Sequence, residues 1–200
     1  MNGDFLLYGF TLTIKDRAQA SDVIKRAFLK EESVGFQLEF TPFGKTRNRK
    51  LQIKLEVDTR PPSGSFFDTK YLDFPINYDL VSQDLPSLFA SKCHALLCRE
   101  YVKGRDWYDF TWYVARRVRV NYTFLSSALD QAGPWQHQGL KVEAPWLAEK
   151  LREKIVSIVW DDARSDVERF LSKRARLSLR VWHKEFFLDR VQALSSYDSP

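Results

Sequence analysis

Cysteine is nearly missing from this 200-residue chain: only Cys93 and Cys98 occur, five positions apart. Inside one predicted helix that spacing suits neither a zinc knuckle nor a disulfide, so reduced thiols are expected. No apolar run approaches the ~20 residues that span a bilayer, and no signal-peptide pattern is read. These two absences predict a cytoplasmic protein with no membrane partner. Internal repeats and low-complexity tracts are also missing. A strong charge of one sign is lacking too, since the net charge is only +5. That excess is too small by itself to demand a nucleic-acid partner.

What the chain does have is 44% hydrophobic and 14% aromatic residues, enough for one substantial core or two small ones and too much for disorder. Its basic excess is uneven: 14 basic and 13 acidic residues in the first hundred, 17 and 13 in the second. Local clusters stand at Lys45, Arg47, Arg49 and Lys50, at Arg116, Arg117 and Arg119, and at Lys173, Arg174 and Arg176. Each is able to meet phosphates or to form an ordinary solvated face.

The first third reads as strands broken by turns. Residues 6–15 alternate loosely, 23–29 fit strand or helix, and 34–43 are rich in aromatic and branched residues. The clearest strand is 51–58, with Leu51, Ile53, Leu55 and Val57 on one face and Lys54, Glu56 and Asp58 on the other. Pro61-Pro62 and Ser63-Gly64-Ser65 put a loop beyond its end. From Pro86 the periodicity becomes helical, with Ser82 or Asp84 as a possible cap. Helices are predicted at about 86–100, 105–117 and 121–131. Another opens at Pro145 with the stripe Leu147, Leu151, Ile155 and Ile158, and a last one carries Leu179, Trp182, Phe186, Val191 and Leu194. The fold class is therefore α+β, with a sheet region over 1–82 and a helical domain over 83–200.

Charge in the first two helices needs an account. Lys92 shares a stripe with Leu85, Leu88, Phe89 and Leu96. An unpaired ammonium there is costly to bury, so its head either reaches water or meets acid or phosphate groups. Asp106 follows Gly104-Arg105 and suits a helix start. Asp109, one turn on, is placed to pair with Arg105 or Tyr113. Glu56 and Asp58 lie ~7 Å apart on one strand face, close enough to share a divalent cation, although a solvated strand face has the same pattern.

Three blocks, in order, resemble the AbiEii-type nucleotidyltransferase toxins of abortive-infection and toxin-antitoxin systems: Ile53-Lys-Leu-Glu-Val-Asp58 with Pro61-Pro62; Asp84-Leu85 through Ser91-Lys92-x-His94-Ala95-Leu96; and Arg99-x3-Lys103-Gly-Arg105-Asp106-x-Tyr108-Asp109. The match covers residues 50–117. It implies a partial nucleotidyltransferase-fold mixed sheet followed by a helical domain, with Mg²⁺ and a nucleoside triphosphate used to modify an acceptor such as tRNA, and a cognate antitoxin as a candidate partner. By the resemblance Glu56 and Asp58 are strand carboxylates and metal ligands. Lys92 contacts the triphosphate, Asp106 is the essential helix acid, and Lys103, Arg105, Tyr108 and Asp109 frame the nucleotide cleft.

One departure stands out. Such proteins carry a Gly-Gly or Gly-Ser turn leading to an Asp-x-Asp strand, and the only Gly-Ser pair here, Gly64-Ser65, follows the Glu56 strand and lacks that spacing. The expectation is a shortened, inactive nucleotidyltransferase, or alternatively a non-catalytic module that binds RNA or an antitoxin. In either case an ammonium, a helix-start carboxylate and the acidic strand edge are expected to converge on one polyphosphate-sized hollow.

Overall fold

The computed structural model describes the backbone of residues 13–16, 24–31, 51–73 and 77–198, and the side chains of 57–73 and 77–198. It forms two compact units, 1–61 and 62–200. In the first, strands β1 (Thr13–Asp16), β2 (Ile24–Glu31) and β3 (Leu51–Asp58) make an antiparallel sheet in the order β1-β2-β3. The register sets Ile24 opposite Asp58 and Arg26 opposite Glu56. The segment 23–29, ambiguous by sequence, is thus largely strand. The predicted strand at 34–43 and the basic cluster at 45–50 lie outside the described residues.

The second unit opens with an antiparallel hairpin, β4 (Phe67–Leu72) and β5 (Tyr78–Gln83). Helices α1 (Leu85–Cys98), α2 (Gly104–Ala115), α3 (Tyr122–Gln131), α4 (Ala144–Val156), α5 (Trp160–Glu168) and α6 (Lys184–Tyr197) follow, with a 3₁₀ turn at Ala175–Val181 before α6. The architecture is the expected α+β, mostly helical toward the carboxy terminus. No described helix is long and apolar enough to cross a membrane.

Local chemistry sets the helix boundaries. Asp84 Oδ1 accepts the Ser87 N–H at 2.9 Å and Pro86 occupies the first turn, where its missing N–H costs nothing. Asn121 Oδ1 caps α3 through the Phe124 N–H at 3.0 Å. The Asn121 amide also donates to the Gly64 carbonyl at 2.8 Å and to Ser87 Oγ at 3.0 Å, while Ser87 Oγ accepts the Phe66 N–H at 3.1 Å. One buried polar knot therefore ties the Gly64 loop to α1 and α3, with its partners satisfied as burial requires.

Two predicted stripes shift. The buried face of α1 is Phe89, Ala90, Cys93, Leu96 and Leu97, whereas Leu85 is exposed. The core seam is rotated by about one residue from the expected stripe, which leaves Lys92 at its margin. The last predicted helix divides into the 3₁₀ turn and α6, because Trp182 turns inward between them and Phe187 rather than Phe186 enters the core. Trp107 meets Trp160 and Phe187 edge-on at 5.3 and 5.4 Å, and Trp160 stacks on Phe187 at 3.9 Å. These rings bind α2, α5 and α6 into one core.

Gly104 is fixed by close approach. A methyl group placed on it would lie 2.0 Å from the Ala163 carbonyl oxygen of α5, and its N–H donates to Asp166 Oδ2 at 2.9 Å. Gly104→Ala must push α2 from α5 and is expected to cost about 1–3 kcal/mol, as overpacked sites do. A urea denaturation midpoint equal to the parent's would contradict this contact.

Candidate active site

The junction of α1 and α2 carries the charged cluster. Lys92 lies in the middle of α1 and Asp106 in the first turn of α2, so folding the two helices together brings the ammonium to the carboxylate. Lys92 Nζ lies 2.8 Å from Asp106 Oδ1 and 2.8 Å from Asp109 Oδ2. Asp106 and Asp109 are three residues apart, which places both on one side of α2. Arg99, just beyond α1, brings its Nε within 3.0 Å of the second Asp106 oxygen. That contact is an ion pair rather than an aligned hydrogen bond, because neither atom has a hydrogen-bonding partner of good geometry.

Burial separates the roles within the cluster. The Asp106 side chain is 5% exposed, Lys92 24% and Asp109 47%. Asp106 is the buried anion, and two cations converge on it. Its position in the first turn adds the positive end of the α2 dipole. Capping is not its role, since no side chain caps this helix. Desolvation opposes the charge on Lys92, but hydrogen bonds and attraction from Asp106 and Asp109 outweigh it and hold the pKa above the ordinary 10.5.

A shallow hollow of about 180 Å³, counting its open mouth, adjoins the pair and is lined in part by Arg99, Tyr101, Lys103, Asp106 and Lys154. Lys154 Nζ reaches the hollow's wall by donating to the Arg99 carbonyl at 2.8 Å. The hollow's own lining carries Arg99, Lys103 and Lys154 against Asp106, three cations to one anion, while Lys92 and Asp109 pair beside it. The balance favours an anion. Without that open mouth its enclosed space is only about 10 Å³, room for about one water against the ~300–1,000 Å³ of typical ligand sites, so it is a surface foothold for part of a ligand rather than a nucleotide pocket.

The remaining predicted residues have other surroundings or complete the pair. Asp109 pairs with Lys92 rather than Arg105, because the Arg105 guanidinium turns away to lie 4.3 Å from the Phe170 ring centre. Tyr108 is half-buried, its ring 6.3 Å from that of Trp182. Asp58 is exposed, and its Oδ1 accepts the Arg60 N–H at 2.9 Å at the strand end. The Glu56 side chain lies outside the described residues. Arg99, given no role by the sequence reading, had a signal, since it falls seven residues after Lys92 on the same side of α1. Lys154 had none, because 55 residues separate it from the carbonyl it meets.

A family model described as nucleotidyl transferase AbiEii toxin, type IV TA system, matches residues 9–190. The chain belongs to the AbiEii nucleotidyltransferase toxin family. No curated protein and no solved structure matches it. In this AbiEii chain the second and third motif blocks meet through the Lys92–Asp106 contact, while Glu56 and Asp58 belong to the other compact unit. Among the described residues no three acidic, histidine or cysteine side chains gather as a metal ion requires. Asp106 and Asp109 are already matched by Lys92 and Arg99, so the helix pair does not fit Mg²⁺.

Lys92→Met leaves Asp106 and Asp109 with one cation fewer. Breaking a fully buried pair costs about 3–5 kcal/mol, and solvent access to Lys92 and Asp109 reduces the expected loss to roughly 2 kcal/mol. Because the folded pKa of Lys92 is raised, its contribution is fully present below pH 10.5 and fades as pH climbs through the folded value. Urea melts of parent and variant should accordingly converge at high pH. Equal stability at pH 7 would contradict the pairing.

Proposed function

We propose that the α1–α2 corner is the polyphosphate end of a nucleotide site of the kind that nucleotidyl transfer from a nucleoside triphosphate to an RNA acceptor such as tRNA uses. The observation that carries this reading is Lys92, held between Asp106 and Asp109, with Asp106 in turn lining a small hollow beside Arg99, Lys103 and Lys154. In such a transfer the acceptor hydroxyl oxygen bonds to the α-phosphorus, the bond to the β-phosphate bridging oxygen breaks, and pyrophosphate departs as the hydroxyl proton is released. Charge grows on the departing phosphates. A preoriented ammonium and guanidinium stabilise that charge without reorganising at the moment of reaction.

Each residue then has a task in this reading. Lys92 and Arg99 neutralise phosphate oxygens, with Lys103 and Lys154 raising the local potential. Asp106 and Asp109 hold the Lys92 ammonium in place. Mg²⁺, if used, belongs on strand carboxylates such as Glu56 and Asp58 rather than on the helix pair, and supplies charge neutralisation of the triphosphate when bound. A cognate antitoxin is the partner that the toxin family suggests, and a cytoplasmic site of action accords with an RNA acceptor.

The test separates nucleotide from RNA. Lys92→Ala, assayed where far-ultraviolet circular dichroism shows it folded, is expected to lose binding of a fluorescent ATP analogue by ~10-fold or more, with tRNA affinity nearly unchanged. Unchanged nucleotide binding would overturn the reading. The chain's acidic strand pattern is Glu56-x-Asp58 with no Asp-x-Asp partner, so residues 1–200 alone are expected to show no transfer of labelled nucleotide. Detectable Mg²⁺-dependent transfer would contradict that expectation.

A further inference from the structure

Next to the site, but turned away from it, is a surface that nucleotide chemistry leaves unused. Phe170, in the turn after α5, is 52% exposed despite being a large aromatic ring. Two guanidiniums attend it: Arg105 at 4.3 Å and Arg169 at 4.9 Å from the ring centre. Arg105 immediately precedes Asp106, so this ring adjoins the candidate active site through one peptide bond of α2. Water would not hold a phenyl ring and two guanidiniums in the open without gain. Cation–π attraction accounts for the arrangement, and the half-exposed ring with the planar guanidiniums over it makes one stacking platform.

The chain that follows is strongly basic. From 169 to 180 it holds Arg169, Lys173, Arg174, Arg176 and Arg180 and no acidic residue. All five side chains are exposed. Arg169 pairs with Asp166 and Arg176 with Glu168. Lys173, Arg174 and Arg180 form no ion pair among the described residues. Cations without ion-pair partners in the same basic segment as this aromatic–guanidinium platform match the two needs of a single-stranded nucleic acid: phosphates seek the charge, and bases stack on the platform whatever their identity. An acidic protein surface would answer the charge and leave the ring without a use.

We propose that Phe170 with its flanking arginines and the 173–180 segment is the docking surface for the RNA acceptor, holding an unpaired stretch by stacking and by phosphate contacts. The choice of RNA rests on the nucleotidyl-transfer reading above, and the residues invoked here are not those of the nucleotide corner. They carry the surface beyond that reading.

Cation and ring should fail differently. In fluorescence-anisotropy titrations of labelled tRNA across a salt series, the triple variant Lys173→Gln, Arg174→Gln, Arg180→Gln is expected to bind ~10-fold or more weakly. The slope of log affinity against log salt should fall in magnitude by about 2–3. Phe170→Leu should weaken binding by ~5- to 100-fold with the slope unchanged. Both variants should bind the fluorescent ATP analogue as the parent does, which distinguishes this test from that of Lys92. Parent-like tRNA binding by the variants would overturn the surface, as would a parent chain that binds no tRNA. Displacement of tRNA by poly-glutamate at equal charge concentration would assign the surface to an acidic protein instead and overturn the proposal.

Discussion

The Lys92 ammonium, held between two carboxylates of the next helix, fixes how α1 and α2 meet. A carboxylate as buried as Asp106 is stable in its charged form only where cations compensate for lost water. Here three sources of positive potential do so: Lys92 on one oxygen, Arg99 on the other, and the amino end of α2. Shifting either helix by one turn would break both ion pairs and leave Asp106 only the dipole of its own helix. The pairing sets registration as well as charge.

Close packing behind α2 serves the same end. Gly104 lets the α2 start approach the Ala163 carbonyl, and Asp166 accepts the Gly104 N–H. Trp107, next to Asp106, anchors the other side of that turn against Trp160 and Phe187. The carboxylate is held by covalent neighbours on both sides that have little freedom. Positioning of this kind is what preorganised electrostatics requires, and it is consistent with a site whose parts come from distant segments.

Much of this architecture was legible in the sequence because its signals are local. The strand at 51–58 coincides with its alternation, and α1, α2 and α3 start within a residue of the predicted 86, 105 and 121. That Lys92 would reach water or meet an acid or phosphate followed from the cost of burying a lone charge, whereas its pairing with Asp106 and Asp109 appears only when α2 folds onto α1. What escaped depends on distant contacts. Periodicity put Leu85 on the buried stripe, but the core seam is chosen by the helices that pack on α1, and it passes one residue aside. Arg105 was read as a neighbour of Asp109, whereas exposed Phe170, 65 residues away, draws the guanidinium off. The break between the 3₁₀ turn and α6 arises from Trp182 and Phe187 sharing one ring cluster, a constraint that helical spacing does not encode.

The account turns on Lys92 being available to phosphate as well as to its two carboxylates. Nitrogen-15 NMR of the lysine ammonium groups, recorded with and without a non-hydrolysable nucleoside triphosphate, reads that directly. The account predicts that the Lys92 resonance moves on addition of the nucleotide, with that of Lys150, paired with Glu153 on α4, staying fixed. A Lys92 resonance unmoved at saturating nucleotide would show that the ammonium serves only to join two helices.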